Sequence, residues 1–335
     1  MRALRYHGAG RLAIDEVREP SPKPGEAIVR VVSCGICGTD LAIRAGNLKR
    51  VKPPVTLGHE SVGYVEALGV DGDLKTGQIV AVEPLRWCGS CGPCQDGNVH
   101  LCVQLTLLGV DADGGFAPFV SVPVEKLHGV PPGTPIERIA MAEPCAVSLR
   151  ATYRSGLRPH GSIAIIGGGP IGALAALIAR DVFHAKQVFV VEQHRFRADI
   201  LRGMGFRVLA GVEAVEAIRS ETSWGVDVAL DCVGTTESLA LAMEATKSAG
   251  TVTLIGLHDP TISFPLQGLV LRELRFVGTR IYSSRQFSEA VALLASGRID
   301  TSPLITKRVP LELAVDDAFN ALARGEDLMK VVVRC

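Results

Sequence analysis

Two patterns of hydrophobic and polar positions divide the chain into segments. From residue 1 to 147, short β-branched runs such as "QIVAVEP" and "GFAPFVSVP" are separated by glycine, proline and charge, which predicts a β-rich domain. From 148 to 284, apolar strands such as "SIAIIG" and "QVFVVE" alternate with helical stretches. That order is typical of a doubly wound parallel sheet with helices on both faces. Residues 285–335 hold a helical stretch and the apolar run "KVVVRC", and we expect them to return to the first domain.

Composition and charge indicate a globular protein that acts on a small molecule. Hydrophobic residues make up 47% of the 335 residues and charged residues 21%, a balance that favours packed domains over disorder. Lysine plus arginine equals aspartate plus glutamate at 35 each, and no long block of like charge occurs. We therefore expect no nucleic-acid partner.

The sequence also argues against export and membrane insertion. The first ten residues, "MRALRYHGAG", lack the apolar core of a signal peptide. Residues 162–179 carry no charge, but "GGGP" interrupts them, so a strand, a turn and a buried helix explain the run better than a membrane span. We expect a cytoplasmic protein with no membrane partner, and in that compartment thiols stay reduced.

Four of the nine cysteines crowd into one loop with the spacing C-x2-C-x2-C-x7-C: Cys88, Cys91, Cys94 and Cys102. In a reducing compartment such a cluster favours metal binding over disulfides, and structural zinc takes four thiolates. The alternative is four unligated surface thiols. A closed four-thiolate site has no position left for substrate, so this structural zinc would hold a loop without catalysing.

A glycine-rich motif opens the second domain. "IAIIGGGPIG" follows an apolar strand and opens an apolar helix, which matches the G-x-G-x-x-G turn that brings a pyrophosphate to a helix N-terminus. Glu192 ends the next strand, where a carboxylate can bind an adenosine ribose and repel a 2′-phosphate, so NAD is favoured over NADP. Arg195 and Arg197 keep NADP open as the alternative. The candidate cofactor-binding residues are Gly167, Gly169, Pro170, Ile171, Gly172, Glu192 and Arg197.

Five motifs follow one another along the chain: "CGICGTD", "LGHES", the four-cysteine loop, "MAEPCAV" and "GGGPIG". In this order they resemble the motifs of the zinc-dependent medium-chain alcohol and polyol dehydrogenases, and the resemblance covers nearly the whole chain. Sorbitol, butanediol and threonine dehydrogenases are the most similar in pattern. The resemblance implies a GroES-like catalytic domain and a Rossmann domain. It also implies hydride transfer from a secondary alcohol of a polyol or sugar-derived substrate to NAD⁺. A homodimer or homotetramer, paired through the edge of the nucleotide-domain sheet, is expected.

The resemblance further implies a catalytic zinc held by Cys37 and His59, with Glu60 and Glu143 competing for or sharing the remaining protein position. Zn²⁺ with one thiolate, one neutral imidazole and one carboxylate is formally neutral, and a second carboxylate makes the site anionic. We therefore predict that only one glutamate binds directly at a time, while the other holds a water or exchanges with it. Cys145, close by in sequence, is interpreted as a core residue.

The same resemblance implies roles for residues around the metal and the nicotinamide. Asp40 would orient the imidazole of His59, and Thr39 would pass the hydroxyl proton of the substrate outward. Family members commonly carry histidine five residues after the catalytic cysteine; here Ala42 stands there, so the relay ends on water or on another side chain. The residues expected near the nicotinamide are Cys232, Val233, Gly234 and Arg280.

Two other functions remain as alternatives. A zinc-free quinone or enone reductase of the same superfamily would lack the metal ligands, and a non-enzymatic nucleotide-binding protein would be expected to lose at least one of them. The substrate also stays open, because the basic stretch between the cysteine and histidine motifs either attracts a sugar acid or sugar phosphate or is a solvated loop. A neutral polyol is the preferred substrate. The basic residues are Arg44, Lys49, Arg50 and Lys52.

Overall fold

The computed structural model describes residues 1–69, 74–211, 213–256 and 261–335. The chain forms two compact units. The domain boundaries expected after residues 147 and 284 lie within a few residues of the unit limits and stay predictions. Unit 1 comprises Met1–Glu143, Ser283–Gly297 and Ile305–Cys335, and unit 2 comprises Pro144–Tyr282 and Arg298–Leu304.

Strands are numbered in chain order. They are β1 (Arg2–Tyr6), β2 (Leu12–Glu16), β3 (Glu26–Gly35), β4 (Val55–Thr56), β5 (Glu60–Leu68), β6 (Ile79–Val82), β7 (Leu85–Arg86), β8 (Thr106–Leu107), β9 (Phe119–Pro123), β10 (Leu127–Gly129), β11 (Ser162–Ile166), β12 (Gln187–Val191), β13 (Arg207–Leu209), β14 (Val226–Asp231), β15 (Thr246–Leu254), β16 (Arg275–Gly278), β17 (Ile305–Pro310) and β18 (Lys330–Arg334).

Helices are numbered in the same way. The α-helices are α1 (Gly38–Arg44), α2 (Gly92–Gln95), α3 (Ile136–Ile139), α4 (Ala142–Ser155), α5 (Pro170–Asp181), α6 (Arg195–Gly203), α7 (Glu213–Thr222), α8 (Thr236–Ala245), α9 (Leu266–Leu271), α10 (Ser284–Ala295) and α11 (Ala321–Ala323). Short 3₁₀ turns span Val99–Leu101, Val124–Lys126, Ser302–Leu304 and Leu311–Leu313, and a π-helical segment spans Ala314–Asn320.

Unit 1 is built on a seven-stranded sheet in the order β10-β6-β5-β3-β18-β17, with β9 also paired to β3. The ten-residue β3 is central to this sheet, because it pairs antiparallel with β5, β9 and β18. Strands β17 and β18 come from the end of the chain, so the C-terminal segment lies in unit 1. Two smaller sheets, β2-β1-β4 and β7-β8, complete the unit.

Alternating apolar positions of these strands form one buried cluster in unit 1. Val29 and Val31 of β3 join Val331 and Val333 of β18 in it. Phe116 meets the ring of Phe319 edge to face, with the ring centroids 6.1 Å apart. The period-2 pattern thus provides the core that holds β3, β5 and β18 in fixed register.

Unit 2 contains a six-stranded, wholly parallel sheet in the order β13-β12-β11-β14-β15-β16. The strand order reverses between β11 and β14. In such sheets, ligands bind beyond the carboxyl ends of the strands at this reversal. The fold class predicted from the sequence is confirmed. None of the helices in the described ranges has the length and apolar character needed to cross a bilayer.

Candidate metal centres and dinucleotide loop

The pairing of β3 with β5 brings three potential metal ligands together in unit 1. The register sets Gly35 opposite Glu60. Cys37 follows β3 as the N-cap of α1, and His59 immediately precedes β5. Ligand atoms of Cys37, His59 and Glu60 all lie within 4.8 Å of one another. A thiolate, an imidazole and a carboxylate at this spacing are a donor set that suits zinc.

The turn that leads into β5 requires a glycine directly before His59. Gly58 has a φ of +95°, which side chains rarely tolerate. A Cβ there would also lie 2.8 Å from Cys34 Sγ and 2.8 Å from the backbone nitrogen of Phe116. The turn that delivers His59 therefore requires glycine for its backbone conformation and for space.

Asp40 organises this group from the first turn of α1. Its Oδ2 accepts a 2.9 Å hydrogen bond from the Cys37 backbone N–H, and its Oδ1 lies 3.8 Å from Nδ1 of His59. Burial lowers the pKa of His59, but Asp40 and Cys37 outweigh burial and hold that pKa well above its usual value. Zinc binds the neutral form of imidazole, so metal affinity at this group should fall as the pH is lowered. Thr39 Oγ1 lies 3.7 Å from Cys37 Sγ.

Lys330 is a member of this group that sequence reasoning missed. It begins β18, its side chain is 3% exposed, and its Nζ forms an ion pair with Oε2 of Glu60. The same Nζ donates a 2.9 Å hydrogen bond to the carbonyl of Ile36. A lysine ahead of three valines gives no signal in the sequence that its amine reaches a carboxylate on β5. Only the pairing of β18 with β3 brings the two side chains together.

Glu143 is not a member of the three-residue group of converging ligand atoms found in the described part of the chain. It is 8% exposed in the first turn of α4. Its negative charge nonetheless acts on the group, because it contributes to raising the pKa of His59 and that of Lys330. Cys145 on the same helix is fully buried, which fits its interpretation as core.

The four-cysteine loop forms a second centre in unit 1. The Sγ atoms of Cys88, Cys91, Cys94 and Cys102 all lie within 4.8 Å of one another, and none of these cysteines forms a disulfide. Backbone N–H groups of Ser90 and Cys91 donate to Cys88 and lower its pKa to about 6. Sulfurs that converge and accept backbone N–H bonds fit tetrahedral thiolate coordination of zinc.

The glycine-rich motif of unit 2 forms the turn between β11 and α5. A Cβ on Gly172 would collide with the carbonyl oxygen of Gly167, so this turn closes only with glycine there. Gly169 is the N-cap of α5, and Pro170 follows it in the first turn. The free N–H groups of this turn and the helix dipole suit a pyrophosphate.

Glu192 already has partners on both carboxylate oxygens. Oε2 accepts a 2.8 Å bond from Gly168 N, and Oε1 accepts a 2.7 Å bond from His194 N. The side chain thereby ties the end of β12 to the glycine-rich turn, and each oxygen keeps a lone pair for a ligand hydroxyl. The guanidinium of Arg197 reaches the same turn, since it lies 3.8 Å from the Cβ position of Gly169.

The residues expected near the nicotinamide lie just after the carboxyl ends of β14 and β16. Asp231 accepts bonds of 3.0 and 3.1 Å from the N–H groups of Val233 and Gly234, which fixes the turn after β14. Burial raises the pKa of the Cys232 thiol in that turn. Arg280 is exposed two residues after β16.

Two residues of the basic stretch between the motifs have side-chain partners within unit 1, and one of these partners is charged. Arg44 donates to the side-chain oxygen of Asn320, and Arg50 lies 3.2 Å from Asp111. Lys49 and Lys52 are exposed.

Family models match both units. The alcohol dehydrogenase GroES-like domain matches residues 23–132, and the zinc-binding dehydrogenase model matches residues 170–296. A 2-dehydro-3-deoxy-L-galactonate 5-dehydrogenase of Pseudoalteromonas atlantica is 31% identical, with 100% of this chain and 99% of the relative covered. An L-idonate 5-dehydrogenase of Vitis vinifera is 33% identical, with 97% and 92% covered.

A solved structure supports the same assignment. A putative zinc-binding dehydrogenase of Sinorhizobium meliloti bound to NADP aligns with a TM-score of 0.93 at 31% identity, covering 100% of this chain and 99% of that one. Other matches are named sorbitol, butanediol and threonine dehydrogenase, as the sequence resemblance implied. The chain therefore belongs to the zinc-type medium-chain alcohol and polyol dehydrogenase family and is an oxidoreductase that acts, with a nicotinamide cofactor, on the CH–OH group of a small alcohol.

Proposed function

We propose that this dehydrogenase carries two zinc ions per chain, one catalytic and one structural, and oxidises a secondary alcohol of a polyol or sugar-derived substrate with NAD⁺. The observation that carries the proposal is the convergence of Cys37, His59 and Glu60 within 4.8 Å in a chain whose four-cysteine loop is also assembled. A zinc-free reductase and a non-enzymatic protein of this fold have no need of the three converging ligands.

The side chains of unit 1 divide the chemistry among them. Cys37, His59 and either Glu60 or Glu143 would hold the catalytic zinc, which supplies a Lewis acid that polarises the alcohol oxygen. Asp40 fixes the Cys37 backbone and lies beside Nδ1 of His59, which would leave the other ring nitrogen to hold the metal. Thr39 would take the hydroxyl proton outward. When bound, the nicotinamide would supply the acceptor for the hydride of the alcohol carbon.

NAD is the proposed cofactor. The lone pairs that remain on Glu192 suit the ribose hydroxyls of NAD, and its negative charge opposes a 2′-phosphate. Arg195, whose side chain is 94% exposed, and Arg197 provide the basis for the NADP alternative. Fluorescence titration with NADH and NADPH distinguishes the two, and binding of NADH tighter by about tenfold or more is expected.

A neutral polyol remains the preferred substrate, and sugar acids are the second candidate. Two relatives that match almost the whole chain are named for sugar-acid substrates, and Lys49 and Lys52 are exposed in the basic stretch. The test is NAD⁺ reduction against polyols, sugar acids, sugar phosphates, butanediol and threonine, with zinc content measured on the same sample. About two zinc ions per chain and turnover of a secondary alcohol are expected. One zinc or none, with no turnover, contradicts the proposal.

The edge of the unit 2 sheet is the proposed contact with a second copy of the chain. Within the described ranges, β16 pairs with β15 alone, so its other edge has no strand partner, and one carbonyl of the strand, that of Gly278, accepts from the side chain of Arg154. Leu266, Val270 and Leu271 of α9 are 61%, 65% and 76% exposed. A dimer or tetramer measured by light scattering, and a monomer for Leu271→Asp, are expected. A monomeric wild type contradicts this contact. The cytoplasmic location expected from the sequence stays a prediction.

A further inference from the structure

A buried lysine and a candidate metal ligand share one carboxylate in unit 1. The side chains of Lys330 and Glu60 are 3% and 1% exposed, and Nζ of Lys330 is paired with Oε2 of Glu60. Two hydrogen bonds of the Ile36 backbone hold Lys330 in place. Ile36 N donates to Val331 O at 3.0 Å, and Ile36 O accepts from the Lys330 ammonium at 2.9 Å.

Gly35 makes room for this pair. A Cβ at position 35 would collide with Oε2 of Glu60 and come within 2.9 Å of Cε of Lys330. The glycine therefore leaves a space that the ion pair fills between β3, β5 and β18. A buried ammonium that lost this partner would be left uncompensated, so the pairing is built into the fold of unit 1.

The ammonium also changes the charge count of the centre. A divalent metal with one thiolate and two carboxylates has one net negative charge, and Lys330 cancels it. The metal and Lys330 are both cations, and Glu60 lies beside both. Lys330 is paired with Oε2 of Glu60, so the carboxylate cannot turn both oxygens and its full charge to the metal while that ion pair is intact.

We propose that Lys330 is a positioning residue that competes with the catalytic zinc for Glu60 and so limits how strongly this carboxylate binds the metal. The inference rests on the proposed zinc site. With Lys330 in place, Glu60 donates less charge to the zinc, which stays a stronger Lewis acid and keeps a position open for the substrate. Without the ammonium, the zinc is the cation left for a buried carboxylate that cannot stay unpaired.

The test measures release of the catalytic zinc to a colorimetric chelator, with the four-cysteine zinc of the same chain as an internal standard. Lys330→Met should slow release of the catalytic zinc about tenfold, because one buried unit charge beside the site is removed. Lys330→Arg keeps the charge and should release zinc at close to the wild-type rate. The pH midpoint of kcat/KM should rise in Lys330→Met and stay in place in Lys330→Arg.

A double variant separates competition for Glu60 from a general charge effect. In Lys330→Met/Glu60→Gln, the slow release should disappear, because the carboxylate freed by the first substitution is gone. Slow release that persists in the double variant overturns the proposal, as does wild-type or faster release from Lys330→Met with the four-cysteine zinc unaffected. If Lys330→Met misfolds and loses the four-cysteine zinc as well, Lys330→Gln replaces it, because glutamine retains a hydrogen-bond donor. Slower release of the catalytic zinc is expected for that variant too.

Failure of the proposed function gives a different result. A wild-type chain that holds only the four-cysteine zinc contradicts the catalytic centre itself and, with it, the role of Lys330. A wild-type chain with two zincs and alcohol oxidation, in which Lys330→Met leaves zinc release unchanged, contradicts the role of Lys330 alone.

Discussion

Substituting Gly58 with alanine perturbs the turn that delivers His59, and its cost follows from the structure. The φ of +95° costs a residue with a Cβ about 1 kcal/mol. The new methyl would also lie 2.8 Å from Cys34 Sγ and from Phe116 N, and displacing a packed backbone costs roughly 2 kcal/mol. We therefore expect unit 1 to lose about 3 kcal/mol of stability in Gly58→Ala, and the catalytic zinc to be released faster.

Gly46 offers a matched control in the same unit. Its φ is +76°, but nothing in the described structure lies within 4 Å of the position its Cβ would occupy. Gly46→Ala should therefore cost only the backbone strain of about 1 kcal/mol. Hydrogen exchange of the β3 and β5 amides measures the opening free energy of unit 1 separately from that of unit 2. Equal losses for the two variants would refute the argument that space, and not only the left-handed backbone, requires glycine before His59.

Three further outcomes are expected. Burial raises the pKa of Glu137, but Arg334 and Arg308 outweigh it and lower that pKa, so their stabilisation is present at neutral pH and lost as the pH falls through the lowered value. Glu137→Gln should cost about 1 kcal/mol at pH 7 in urea unfolding, and this cost should shrink as the pH is lowered through the acidic range; a pH-independent cost contradicts this sign. Glu192→Gln should weaken NADH binding by about tenfold in fluorescence titration, since it loses a charge-assisted bond to the glycine-rich turn; unchanged binding contradicts it. Cys91→Ser should lower zinc content by about one ion per chain and raise hydrogen exchange in residues 88–102; full zinc content contradicts it.

The sequence was sufficient for the elements whose signal is local. The parallel strands β11, β12, β14, β15 and β16 come from apolar β-branched runs that alternate with helical stretches, so their order along the chain already indicated the sheet. Strand β13, only three residues long, gave no such signal and was missed. The π-helical segment Ala314–Asn320 was not predicted either, because no residue preference marks that hydrogen-bond register.

The candidate site was predicted only in part, because its geometry depends on strand pairing between distant parts of the chain. The motifs identified Cys37, His59 and Glu60, but their convergence depends on the register that sets Gly35 opposite Glu60. The charge count that limited the metal to one glutamate left out Lys330, whose ammonium arrives through long-range pairing of β18 with β3. The prediction of one bound glutamate at a time therefore stays open to test.

The central claim is that one zinc ion lies among Cys37, His59 and a glutamate. An anomalous difference map at the zinc absorption edge, from crystals of the fully metallated chain, tests it most directly. We expect two peaks, one inside the four-cysteine loop and one about 2.0–2.3 Å from Cys37 Sγ and a ring nitrogen of His59. A map with a peak in the loop and none beside Cys37 would contradict the account.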